Sequence, residues 1–275
     1  MAAVTMAAVK ELRERLGAGM MDSKKALEEA NGDIEKAIEI LRLQGAKGVA
    51  KREGRATTEG LVAVSENGGS ATLIELACET DFVAKNAKFV ELGEKVLAAV
   101  VAAGAEDLES ALAADADGQT VAELINDDAA IIGEKLELRR VAVVKGDKVA
   151  VYMHRTSKDL PPQVGVVVAY SGSDDETARA IAQHISFADP VYLSREDVPT
   201  EEVKKEEEIV TEIAKGEGKP EAALPKIIEG RLTGFFKNIA LLEQPYARDN
   251  KLSVQQVVDQ AGITIQGFAR LKVGA

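Results

Sequence analysis

Two apolar runs, Leu61 to Ser65 and Thr72 to Cys78, are separated by Glu66-Asn67-Gly68-Gly69. Asn-Gly and Gly-Gly supply the left-handed conformations that a tight reversal needs. Strands joined this closely pair antiparallel, because a parallel neighbour requires a crossover of about a dozen residues. A second reversal, Lys145-Gly146-Asp147-Lys148, separates Leu138–Val144 from Val149–His154. Helical patterns stand between such hairpins, which favours an α+β fold over a doubly wound parallel sheet.

Residues 5–44 read as three short helices. Thr5 caps the first, with Val9, Leu12 and Leu16 on one face. Gly17-Ala18-Gly19 breaks it. Asp22 is the expected cap of the second, which carries Ala26, Leu27 and Ala30. Asn31-Gly32 suits a left-handed stop, and Asp33 caps a third with Ile34, Ala37, Ile38 and Leu41. Residues 1–45 therefore form a three-helix module similar to ubiquitin-associated domains. Lys47, Lys51, Arg52 and Arg55 mark 46–57 as a basic, solvated linker. Two antiparallel α+β subdomains follow, over 58–145 and 146–275, alike in element order without a close sequence repeat. Gly104 to Gly118 reads as surface. Within the second subdomain, residues 194–236 are charged around a stripe of Val203, Ile209, Val210 and Ile213. A second stripe, Ala223, Ile227, Ile228 and Leu232, completes an inserted antiparallel helical hairpin.

The net charge of -12 argues against direct nucleic-acid binding, which needs cations to displace counterions from phosphates. With Cys78 alone no internal disulfide forms, which fits a reducing cytoplasm. No signal peptide and no membrane span are expected. His154 and His184 are the only histidines, so no Cys/His metal site is expected. No GxxxxGK[ST] loop and no nucleophile elbow occur, so neither a cofactor nor catalysis of a reaction is expected. The enzymatic reading that survives uses Asp81 and Glu79 as acid and base.

Thr80-Asp81-Phe82-Val83 stands between the strand ending at Cys78 and a helical pattern through Phe89, Leu92, Val96 and Val100. Thr80 is a helix N-cap. On local grounds Phe82 reads as a buried anchor at a helix start. Of Met20 and Met21, one is expected to face inward. Arg13 and Lys24 read as solvated.

The run from Val9 through Leu16-Gly17-Ala18-Gly19-Met20-Met21-Asp22 to Ile38, the segment Thr80-Asp81-Phe82-Val83-Ala84-Lys85, and Ile132-Gly133-Glu134 together resemble bacterial translation elongation factor Ts. The likeness extends from near residue 1 to about residue 273. It implies a cytoplasmic guanine-nucleotide exchange factor that binds GDP-bound and nucleotide-free elongation factor Tu. It also implies a role for each matching position. Asp81 and Phe82, flanked by Thr80 and Val83, would reach the G domain, the ring wedging between helices near the Mg²⁺ side. Ile132, Gly133 and His154 would line the same region. Arg13, Met20, Met21 and Lys24 would meet a separate G-domain helix. Two departures concern the interface: Ala247-Arg248 replaces a Val-Met pair of some relatives, and the chain stops at Ala275 where some continue into a further helix. An interaction scaffold built on the N-terminal module is the alternative reading. Self-association through the core or the helical hairpin is left open.

Overall fold

The computed structural model describes residues 4–16 and 18–275, and of residues 45–50 only the backbone. Among the described residues, eleven α-helices and ten strands form an α+β fold. The chain divides into two compact units, Met1–Val143 with Met153–Gly165 and Leu271–Ala275, and Val144–Tyr152 with Val166–Arg270.

In the first unit, α1 (Met6–Leu16), α2 (Met20–Glu29) and α3 (Ile34–Arg52) enclose Val9, Leu12, Ala26, Leu27, Ala37 and Leu41. Thr5 Oγ1 accepts the Ala8 N–H, and Asp33 accepts the Lys36 N–H. Asn31 (φ 54°) and Gly32 (φ 86°) make the left-handed reversal between α2 and α3. Helix α2 starts earlier than expected. Its N-cap is Gly19, and Asp22 lies inside the first turn, where its charge opposes the positive end of the helix.

The expected linker is also different. Helix α3 continues unbroken to Arg52, so most of the basic segment is helical. Its two glycines cost about 1 kcal/mol each in a helix. Packing against α7 (Val121–Ile132) offsets this, with Ile131 entering the apolar cluster of the three-helix module. The Arg52 guanidinium donates to the Ala129 carbonyl at 3.3 Å.

The β1 (Glu59–Asn67) and β2 (Ser70–Cys78) hairpin turns at Gly68-Gly69, with Asn67 opposite Ser70 and Gly68 at φ 61°. Strand β5 (Leu136–Lys145) completes a sheet of order β1-β2-β5. Helices α4 (Asp81–Ala84) and α5 (Ala87–Ala103) follow β2. Ile74, Leu76 and Cys78 of β2 pack with Phe89, Leu92, Val96 and Val100 of α5 and with Ile125, Ala129 and Ile132 of α7. The stretch read as surface contributes to this core. It holds α6 (Leu108–Leu112) and β3 (Asp115–Ala116), which pairs with β4 (Gln119–Thr120), and it buries Ala105, Ala111 and Ala114. Alanine is small enough to be buried without making a visible stripe.

On the opposite face of β2 lies Glu75, fully buried. Arg140 Nε donates to it at 2.5 Å, Arg139 lies at 3.6 Å, and the Gly274 N–H donates at 3.3 Å. Arg140 also donates to the Lys272 carbonyl. A buried carboxylate is tolerable only with such partners.

The second unit contains β7 (Val164–Ser171), in a sheet of order β10-β7-β6 with β6 (Lys148–His154) and β10 (Thr264–Lys272). Helix α8 (Asp175–Ala188) is capped by Asp174. The hairpin is α9 (Thr200–Gly216) packed on α10 (Leu224–Ile239), with Val210, Ala214 and Phe236 buried and Ile209 and Ile213 exposed. Strands β8 (Pro245–Tyr246) and β9 (Asp249–Ser253) and helix α11 (Val254–Ala261) complete the unit.

His184 on α8 is buried. Its Nδ1 accepts the Ala247 N–H at 3.3 Å, so the proton sits on Nε2, which donates to Gln244 Oε1 at 2.8 Å. Burial holds its pKa below 6.5, and the Gln244 contact offsets part of that. The unfolded chain therefore takes up this proton more readily than the folded one. The stabilisation is complete above about pH 6.5 and is lost as pH falls through the lower folded value. Melting temperatures of the parent and His184→Gln between pH 7.5 and 5.5 test this. The parent should lose more stability on acidification. Parallel pH profiles would contradict it.

Candidate functional site

The turn from β2 into α4 sets Phe82. Thr80 is extended (φ -127°, ψ 155°) and caps the single turn Asp81–Ala84. Successive helical positions are about 100° apart, so neighbouring side chains face different ways. Val83 points inward, 9% exposed, among Cys78, Ala84 and Phe89. Phe82 points outward and is 81% exposed. The local expectation of a Phe82 anchor is thus reversed, and Val83 is the anchor. Lys85 Nζ stands 2.6 Å from Asp81 Oδ2 and 5.9 Å from the centre of the Phe82 ring.

Behind this tip, Ile132 ends α7 inside the core, and Gly133 closes the helix at φ 89°, a conformation that a side chain would strain. The next residue, Glu134, reaches back to the cap. Its carboxylate accepts the Thr80 N–H at 3.0 Å and the Thr80 hydroxyl at 2.7 Å. In return, Glu79 accepts the Lys135 N–H at 2.6 Å and pairs with Arg55 at 3.1 Å.

Phe82, Val83, Ile132 and Glu134 form one wall of a surface cleft of about 660 Å³. Lys10, Arg13, Ala18, Gly19 and Met20 of the three-helix module line it too. Met20 and Met21 are both exposed, 50% and 63%, against the expectation that one would turn inward. The early start of α2 at Met20 leaves both on its solvent side, while Ala26 and Leu27 fill the interior. The structure thus brings Arg13, Met20, Phe82, Val83 and Ile132 to one place, with Thr80, Asp81 and Gly133 beside them in the chain. Met21, Lys24 and His154 do not line the cleft. Lys24 lies 3.7 Å from Glu28 on α2, and His154 is an exposed residue at the end of β6.

The acid–base reading of Glu79 and Asp81 finds no support. The Lys85 hydrogen bond keeps the Asp81 carboxyl below its usual range, and Glu79 is engaged by Arg55 and by a backbone N–H. Burial pushes the Cys78 thiol up, away from the reactive thiolate. Among the described residues no group of three His, Cys, Asp or Glu could hold a metal ion, and no helix is long and apolar enough to cross a membrane.

Glu134, Lys85 and the Glu79–Arg55 pair escaped the sequence reading of the site. The Asp81–Lys85 spacing of four is a legible helical ion pair. The Glu134–Thr80 contact spans 54 residues and carries no local signal.

The Elongation factor TS family matches residues 79–275. The chain is 71% identical over 275 residues to an elongation factor Ts of Clavibacter sepedonicus, covering 100% of both chains. It is 68% identical over 276 residues to that of Leifsonia xyli subsp. xyli and 57% identical over 281 residues to that of Beutenbergia cavernae, again over 100% of each chain. The chain therefore belongs to the elongation factor Ts family of bacterial translation elongation factors.

Proposed function

We propose that this translation elongation factor is a guanine-nucleotide exchange factor, binding GDP-loaded elongation factor Tu and speeding GDP release so that GTP can rebind. The observation that carries the reading is Phe82, a large ring held in water on an anchored turn at the edge of a cleft. An exposed aromatic beside a concavity has the character of an interface anchor. Burying such a ring in a partner contributes about 2–3 kcal/mol.

A GTPase holds GDP through phosphate-loop amides, a lysine and Mg²⁺. A wedge that displaces the helices behind that site favours the nucleotide-free form. By linkage the factor weakens GDP binding by the same ratio that GDP weakens the factor. In this reading Phe82 is the wedge, and Asp81 pairs with polar groups of the partner while Lys85 holds it in place. Thr80 and Val83 fix the turn, Ile132 and Gly133 shape the cleft, and His154 extends the contact. Arg13, Met20, Met21 and Lys24 of the module bind a second part of the G domain. Because α3 docks on α7, the module acts as a wall of the site and not as a tethered arm. The protein changes the partner's nucleotide state by binding, with no cofactor and no bond made or broken.

The test is release of labelled GDP from purified elongation factor Tu, with and without this protein. Acceleration that saturates with protein concentration is expected. Unchanged release would overturn the exchange reading and leave the interaction scaffold.

A further inference from the structure

We propose that Glu134 is a positioning residue that presents Phe82, an inference that rests on the exchange reading above. The turn carrying Phe82 is only four residues long, too short to persist by its own hydrogen bonds. Its internal cap is weak, since the Val83 N–H lies 3.4 Å from Thr80 Oγ1. The two shortest bonds that Thr80 makes come from outside the turn. One carboxylate, that of Glu134, takes both donors of Thr80, at 3.0 and 2.7 Å.

The Lys135 N–H to Glu79 bond runs the opposite way, so residues 79–80 and 134–135 clasp each other side chain to backbone. Gly133 makes this possible, because its left-handed turn brings Glu134 off the end of α7 toward β2. The backbone of Phe82 thereby inherits its position from α7. Thr80 and Val83 fix the two ends of a segment whose most exposed side chain is the ring.

A double-mutant cycle in labelled-GDP release tests this. Glu134→Ala is expected to lower the maximal rate on the order of tenfold, as misplaced contact groups do, with a smaller change in the half-saturating concentration. Glu134→Gln, which can still accept the Thr80 N–H, should recover most of that loss. In a Phe82→Ala background, Glu134→Ala should cost nothing further, because there is no ring left to position. Losses that add in the double variant would overturn the proposal. A second readout needs no partner. With 4-fluorophenylalanine at position 82 alone, the ¹⁹F resonance of the free protein should move toward the free amino acid and sharpen in Glu134→Ala. An unchanged resonance would equally overturn the proposal. Should the parent protein itself fail to speed GDP release, the exchange reading falls; should Phe82→Ala match the parent, the wedge role of Phe82 falls; in either case the fluorine resonance still decides whether Glu134 holds the turn.

Discussion

Phe82→Ala should melt within about 2 °C of the parent, because an exposed substitution typically changes stability by no more than about 0.5 kcal/mol. What it gives up in the free protein includes a cation–π contact with Lys85. GDP release at limiting protein concentration should nevertheless fall about 100-fold, the scale of losing an aromatic interface anchor. Asp81→Ala should follow the same pattern more mildly, since it removes a pairing group and leaves the ring. Thermal melts and GDP-release rates on the same samples separate the possibilities. A Phe82→Ala protein with a much lower melting temperature and normal release would show that the ring serves the fold.

Glu75→Ala is expected to behave in the opposite way. Glu75 is fully buried and holds Arg140, Arg139 and the Gly274 N–H. Deleting one partner of a buried ion pair costs about 3 kcal/mol or more. The lower end applies here, because both arginines are partly exposed and Arg139 keeps a second partner, Glu137, at 2.6 Å. Partial burial acts to raise the Glu137 pKa, but hydrogen bonds from Thr57, Arg139 and Lys135 outweigh it and hold the group at about 2. Roughly 3 kcal/mol displaces the melting temperature by about 10 °C for a protein of this size. At temperatures where the variant remains folded, GDP release should be close to normal, as Glu75 lies outside the cleft. A melt within about 2 °C of the parent would refute the account.

These two residues also mark what can be read from sequence. Turn chemistry was legible because it is local: Gly68-Gly69 reverses the hairpin, and Asp33 and Thr80 cap the helices they precede. The α+β class followed from those punctuation marks. Glu75 was hidden, because a charge within Leu73–Cys78 reads as the solvent face of a strand until the arginines of β5 are brought across from it. Phe82 was ambiguous for a related reason. At a helix start either of two adjacent apolar residues can be the anchor, and only the packing of Val83 on Phe89 decides. Resemblance pointed to Phe82 where local chemistry pointed the other way. The extent of α3 escaped because its support, Ile131 on α7, lies about 80 residues downstream. Glycine and lysine in such a stretch look like a tether when the docking surface is out of sight.

The bond between Gly274 and Glu75 closes the first unit across 199 residues of chain. At synthesis rates of about 5–20 residues per second, roughly 10 to 40 s pass between the making of its two ends. The β1–β2 hairpin and the helices behind it can assemble within that interval, but their last strut arrives only after the whole second unit has been translated. The unit made first is therefore finished last. A ribosome stalled just before Leu271 would hold a nascent chain whose second unit is fully translated and whose Phe82-bearing unit still lacks its closing segment.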